Sequence, residues 1–416
     1  MNKLSMRLVA MNFLEFAVWG AYLTSMGNYL AGAGFAESIW LFYAMQGVVS
    51  IFMPALMGVV ADRWVPAQRL LGLCHLLSGC FMLGAGLYGM GAAPELGVLL
   101  GLYSVSVAFF MPTIALTNSV AFNALTRAGL DTVKAFPPIR VFGTVGFICS
   151  MWAVDICGMQ GGSSQFVVSG ALGLSLAAYA QTLPSCPVNK DRSGALTQAL
   201  GLDAFRLFRQ RRMAVFFIFS MLLGVSLQIT NGYANPYITS FGEVEEYAGT
   251  FGAQHANILI SLSQISETCC ILLIPYCLKR FGIKRVMMIA MLAWMLRFGL
   301  FGAGDPGPGV WMFVLSCIVY GVAFDFFNIS GALFVDENTD ESIRSSAQGL
   351  FMLMTNGLGA TLGTWIAGLV INHFVYASAD VAPMEALAGW RTSWYIFAAY
   401  SLVVLVLFVF LFKEKK

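Results

Sequence analysis

Residues 311–335, WMFVLSCIVYGVAFDFFNISGALFV, form one apolar run interrupted by a single charge, Asp325. A helix needs about 20 apolar residues to cross the hydrocarbon core of a bilayer, and this run supplies them. In a water-soluble fold such a segment would have to be covered on every side by other chain. The remaining sequence cannot do that: 58% of the 416 residues are apolar and 11% charged, against roughly 25% charged in an ordinary soluble domain. The composition therefore points to an all-α membrane protein whose solvent is mostly lipid. It excludes most soluble enzymes, nucleic-acid binders and disulfide-stapled secreted scaffolds. The nine cysteines lie mostly inside apolar runs and form no CxxC pair, so they read as free thiols rather than disulfides or metal ligands.

Eleven further apolar runs accompany the first, at about 8–32, 38–61, 68–90, 95–124, 137–160, 165–184, 213–240, 255–278, 286–303, 345–374 and 389–412. The expectation is twelve transmembrane helices. If both termini are cytoplasmic, 20 of the 23 Lys and Arg residues fall in cytoplasmic segments, and Arg140, Arg297 and Arg391 lie within or at the edge of spans. Basic residues collect on the cytoplasmic side of membrane proteins, so this alternation fixes the orientation.

The longest polar stretch, 185–212, contains the amphipathic LDAFRLFRQRR and divides the chain into two six-span halves, 1–184 and 213–416. The halves echo each other. Asp62 in GVVADRWVPAQR aligns with Lys279 in PYCLKRFGIKR at an offset of 217, and AFF at 108–110 aligns with AFD at 323–325 at an offset of 215. A duplicated six-helix unit is the parallel repeat found in major facilitator transporters. Gly58, Asp62 and Arg63 also resemble the G-x-x-x-D-R loop motif of that superfamily. That resemblance implies a conformational latch in which the Asp caps a helix end and pairs with basic residues when the inner gate is closed. The plainer alternative is that Arg63 and Arg69 only set the topology.

A charge at the centre of a span costs about 2.5–3.5 kcal/mol on insertion scales, so each demands a partner or a cavity. Five are present: Glu15, Arg140, Glu267, Arg297 and Asp325. Arg140, Thr144 and Phe147 follow an i, i+4, i+7 spacing and share one helical face. Gln228 and Asn231 stand three apart, as do Gln264 and Glu267, while Tyr320, Phe324 and Asn328 are successive i+4 neighbours beside Asp325. Together these supply amides and a carboxylate for hydroxyl groups, aromatic faces for a flat ring, and charges of both signs. The set suits a small, uncharged, hydroxyl-rich aromatic solute such as a nucleoside. Other roles stay open: the amides as interhelical bonds, the aromatics as packing, Arg140 and Asp325 as a structural ion pair, and Arg297 snorkelling to the interface. Asp155, Asp336, Glu337, Asp340 and Glu341 read as solvated helix ends or gate partners, and His75, His255 and His373 as structural.

The strings FPPIRVFGTVGF (136–147), LQITN (227–231), SQISET (263–268), VYGVAFDFFNISG (319–331) and SAQGLFMLMTNG (346–357) resemble the nucleoside:proton symporters of the major facilitator superfamily. The resemblance runs from about Leu8 to Phe412. It implies two pseudo-symmetric six-helix bundles with a central cavity, in a bacterial inner membrane, working as a single chain with no cofactor and no nucleic-acid partner. It also implies transport of nucleosides such as uridine, adenosine or xanthosine with protons. The implied substrate-binding residues are Arg140, Thr144, Phe147, Gln228, Asn231, Gln264, Glu267, Tyr320 and Phe324. The implied proton-coupling residue is Asp325, joined by Arg140 and Glu267 in the charge exchange. Glu15 departs from the family, which carries glutamine there, and adds a titratable group. A sugar symporter or small-molecule exporter of the same fold is the nearest alternative. An intramembrane enzyme finds no support, since no HExxH or GxSxG motif is present, and a receptor would be expected to carry a signalling domain.

Overall fold

The computed structural model describes residues 3–186, 202–340, 343–377 and 382–412. Among the described residues every regular element is helical, as lipid demands of a chain with no water available to satisfy open backbone groups. The α-helices of the first half are α1 (Lys3–Gly20), α2 (Met26–Gly32), α3 (Ile39–Arg63), α4 (Ala67–Gly89), α5 (Leu96–Arg127), α6 (Thr132–Ile156) and α7 (Ser164–Ala180). Those of the second half are α8 (Arg211–Ser240), the short α9 (Phe251–Gln254), α10 (Ala256–Ile271), α11 (Ile274–Ala303), α12 (Val310–Glu337), α13 (Arg344–Met352), α14 (Ala360–Phe374) and α15 (Pro383–Leu411).

Among the described residues, nine helical stretches are long and apolar enough to cross a membrane unaided. The three other expected spans correspond to shorter or broken segments. The first expected span is α1 and α2 separated by the turn 21–25, where Ser25 donates to Gln165 at 2.9 Å instead of facing lipid. The sixth is α7, an apolar helix of 17 residues. The eighth is α10 continued by the first turns of α11. Within α11, Gly282 adopts φ 77° and ends that segment before the next helix starts; only glycine enters this left-handed region without strain. A π-helical turn, Leu353–Gly359, joins α13 to α14.

Two compact units emerge, one of residues 1–35 and 48–200, the other of residues 36–47 and 201–416. The division in the middle of the chain falls inside the expected linker. Residues 36–47 group with the second unit, where Asn372 donates to the Glu37 carbonyl at 2.8 Å. Most of the linker, 187–201, lies outside the described residues. Its amphipathic end, Leu202–Arg209, is wound as 3₁₀ rather than α-helix.

In the first unit α4 runs along α5 and α7, and α1 runs along α6. Lipid tails are as apolar as leucine, so burial alone does not hold helices together in a bilayer; close packing does. Gly146 of α6 provides it, because a Cβ there would run into the Phe13 carbonyl of α1. In the second unit the phenylalanines are organised around Phe216, with Phe334, Phe351 and Phe327 at ring-centroid distances of 4.6, 5.5 and 6.4 Å. Large apolar side chains such as Leu272, Ile156 and Phe410 face outward, at 79%, 68% and 73% exposure, as a surface solvated by lipid requires.

Candidate substrate and proton sites

In the first unit, Arg140 and Phe147 lie on the face of α6 that meets α1. The Arg140 guanidinium sits 3.9 Å from the Phe16 ring centroid, a cation–π contact. Thr144 is half-buried and Phe147 buried. Trp19 of α1 stands edge-on to Phe147, with centroids 6.2 Å apart. Arg140 and Phe147 thus have two aromatic neighbours on α1, Phe16 and Trp19, that spacing within α6 could not reveal.

In the second unit, α8 carries Gln228 and Asn231, joined by a 2.8 Å bond from the Asn231 amide to Gln228 Oε1. The pair lies within one helix, so this bond does not tie helices together. It fixes the Gln228 carbonyl as an acceptor and orients the remaining amide groups. On α10, Gln264 and Glu267 are half-buried, and Gln264 Oε1 is a buried acceptor with no hydrogen-bond partner among the described residues. On α12, Tyr320 and Phe324 stack with parallel rings, centroids 5.7 Å apart and 3° between planes. Trp294 of α11 meets Tyr320 edge-on at 5.9 Å. Asp325 is buried at 5% exposure, and the fields of Glu267, Arg297 and Asp325 all reach Tyr320.

A small cleft in this unit is lined by Trp294, Phe324, Phe327, Asn328, Thr355 and Asn356, among others. Thr355 and Asn356 belong to the π-helical turn, a local irregularity of the kind that recurs at functional sites. Nothing in the sequence pattern signalled it.

Two readings of single residues change. Arg297 does not snorkel: it is 2% exposed, donates to the Ser316 carbonyl at 3.0 Å, and lies 4.4 Å from the Tyr320 centroid. Asp155 is no solvated helix end but is buried at 3% exposure. Asp336 behaves as expected of a surface acid, pairing with Arg344 at 3.1 Å. Of the latch residues, Gly58 has open space around it and Arg63 is half-buried at the end of α3. The Asp62 side chain lies outside the described residues.

His75, expected to be structural, contacts Glu15 inside the first unit, Nε2 to Oε2 at 2.7 Å. Sixty positions separate them, and no local spacing joins such a pair.

The nucleoside H+ symporter family matches residues 1–416. The xanthosine permease of Escherichia coli K12 is 45% identical over 414 residues, covering 99% of this chain and 96% of that protein. The nucleoside permease NupG of the same organism is 43% identical over 420 residues, with the same coverages. A crystal structure of nucleoside transporter NupG carrying an Asp-to-Ala substitution superposes with a TM-score of 0.93 at 42% identity, covering 99% of this chain and all of that one. The D-xylose-proton symporter structure, at 14% identity and a TM-score of 0.69 over 97% of this chain and 96% of its own, shares the fold alone. The relatives are transporters rather than enzymes, the fold is the all-helical major facilitator architecture, and the chain belongs to the nucleoside H+ symporter family.

Proposed function

We propose that this chain imports nucleosides together with protons by alternating access of two six-helix bundles, 1–184 and 213–416, across a bacterial inner membrane. Both termini are cytoplasmic in this reading, and one chain is the working unit. The parallel Tyr320–Phe324 pair carries it: two aromatic rings held in one orientation suit a flat nucleobase, and Gln264 and Glu267 on the neighbouring α10 can bond the hydroxyls of a ribose. Arg140, Thr144 and Phe147 on α6, and Gln228 and Asn231 on α8, complete the binding set.

Asp325 takes the coupling proton. Ionised, a carboxylate in the membrane interior is costly to carry through a reorientation; protonated, it is neutral and the loaded carrier moves. Arg140 and Glu267 adjust the charge balance of that step. A proton moving inward gains about 2.3 kcal/mol per 100 mV of membrane potential, enough to concentrate substrate. Gly58, Asp62 and Arg63 act as the inner latch of the same cycle.

The test is uptake of labelled uridine into proteoliposomes under an imposed proton gradient, with unlabelled nucleosides, free bases, sugars and hydrophobic cations as competitors. Competition by nucleosides alone supports the reading. Competition by sugars or hydrophobic cations instead would replace it with a sugar symporter or an exporter.

A further inference from the structure

Glu15 of α1, His75 of α4, and Thr113 and Thr117 of α5 meet in the interior of the first unit. Glu15 Oε2 lies 2.7 Å from His75 Nε2. Thr113 Oγ1 lies 2.6 Å from Glu15 Oε1, and Thr117 Oγ1 lies 3.0 Å from Oε2. Glu15, His75 and Thr113 are fully buried, and Thr117 is 1% exposed. The aromatic edge of Phe110 closes over the imidazole at 6.0 Å. None of these groups belongs to the substrate or coupling residues assigned above.

Counting protons shows what the cluster can hold. Thr113 has one hydroxyl proton and two acceptors at 2.6 Å, Glu15 Oε1 and the Phe110 carbonyl. With Glu15 ionised, Thr113, Thr117 and the imidazole N–H all donate to it. With Glu15 protonated, its O–H donates to Thr113 Oγ1, and Thr113 turns its own proton to the Phe110 carbonyl. Thr117 and His75 still donate to Oε2. The carboxyl group therefore keeps a full set of bonds in either state, a property that a purely structural acceptor does not need.

A buried carboxylate without a counter-charge is costly, and the cluster can hold one added proton, as carboxylic acid beside imidazole or as carboxylate beside imidazolium. On α4 the neighbouring titratable group is Cys74, which feels the field of Glu15. Along α5 the groups in contact are hydroxyls, and α7 carries no charged residue between Ser164 and Ala180. Arg140 of α6 is engaged with the Phe16 ring. His75 Nδ1 is buried without a hydrogen-bond partner among the described residues, so the imidazole has a free site at which a proton can arrive or leave. Thr113 directly follows Pro112 inside α5. Proline removes a backbone hydrogen bond and lets a helix bend, and bending there would move the Thr113 hydroxyl relative to Glu15 and change the pair's hold on its proton.

We propose that Glu15 and His75 form a second proton-binding site, separate from Asp325, that loads and unloads once per transport cycle. The inference rests on the proposed proton-coupled uptake and extends it to two protons per nucleoside.

The experiment is a reversal-potential measurement of the proton-to-uridine ratio in proteoliposomes for the wild type, Glu15→Gln and His75→Asn, with a thermal melt of each variant. The expected result is a ratio near two for the wild type and near one for either variant. The two substitutions remove the site from opposite sides, so one folded variant is enough to read the outcome. A wild type that moves uridine with the same ratio as the folded variants overturns the second site and leaves the transport reading intact. A wild type that moves no uridine overturns the transport reading, and the second site with it.

Discussion

The Arg297 guanidinium lies 4.4 Å from the centroid of the Tyr320 ring. A buried cation in membrane is expensive, and this one is held by the Ser316 carbonyl, Ser263 Oγ and two aromatic faces, the second being Phe301 at 5.4 Å. Its place beside Tyr320 makes it a positioning residue for the Tyr320–Phe324 face and a fixed positive charge in the region of Glu267 and Asp325. Replacing it by glutamine loses a desolvated cation–π contact of about 1–2 kcal/mol. The expected outcome is uridine affinity weakened roughly 5–30-fold, with Arg297→Lys recovering part of the loss. Isothermal calorimetry on the purified variants reads it. Unchanged affinity in a folded Arg297→Gln protein would show that Tyr320 needs no support from below.

Asp325→Asn mimics the protonated carboxyl permanently. Uphill uptake driven by a proton gradient should disappear, while uridine binding and downhill exchange survive. Parallel uptake and counterflow assays on one liposome preparation check both halves. Continued uphill uptake with proton co-movement would remove Asp325 from the coupling role.

Gly146 sets the approach of α1 to α6. Valine there drives carbon into the Phe13 carbonyl, and backbone cannot yield as a side-chain tip can. Overpacking of this kind costs about 1–3 kcal/mol. A lowered melting temperature in detergent, together with reduced uridine affinity through displacement of Phe16 and Arg140, is the expected pair of results. Ser175, exposed on α7, is the control: Ser175→Ala should change neither.

Sidedness can be read from two native thiols. Cys157, just beyond α6, is exposed and belongs to an outer loop if the termini are cytoplasmic. A membrane-impermeant maleimide should label it in intact cells, and Cys157→Ser should abolish that labelling. Cys186, beyond α7, is buried, and burial pushes its thiol pKa up. Only the thiolate reacts, so its labelling should need inverted vesicles and should rise with pH above the range where an ordinary cysteine already reacts. Labelling of Cys157 only from the opposite side would reverse the topology.

The sequence patterns carried the architecture and set out the candidate residues of the site. Hydropathy located the helical segments because each apolar run had to satisfy its own backbone, and the stripe Arg140–Thr144–Phe147 followed from helical periodicity alone. Where the patterns fell short, a single side chain or one turn of backbone was at stake. The first expected span breaks at residues 21–25, where Gln165 of α7 accepts from Ser25, and a π-helical turn interrupts the eleventh. The orientation of Arg297 was undecidable from α11 by itself, because snorkelling and burial differ only in which partner the helix turns toward.

What the sequence by itself determined is that this chain crosses a membrane many times and places a few charges where lipid excludes them. Composition and periodicity are properties of single segments, and the bilayer acts on segments one at a time. Only the tertiary structure decided which of those charges have company. Glu15 meets His75 across 60 positions, and Arg297 turns inward to Tyr320. Such pairings exist because helices remote in sequence pack within ångströms of one another, and the cost of a lone buried charge makes each pairing necessary.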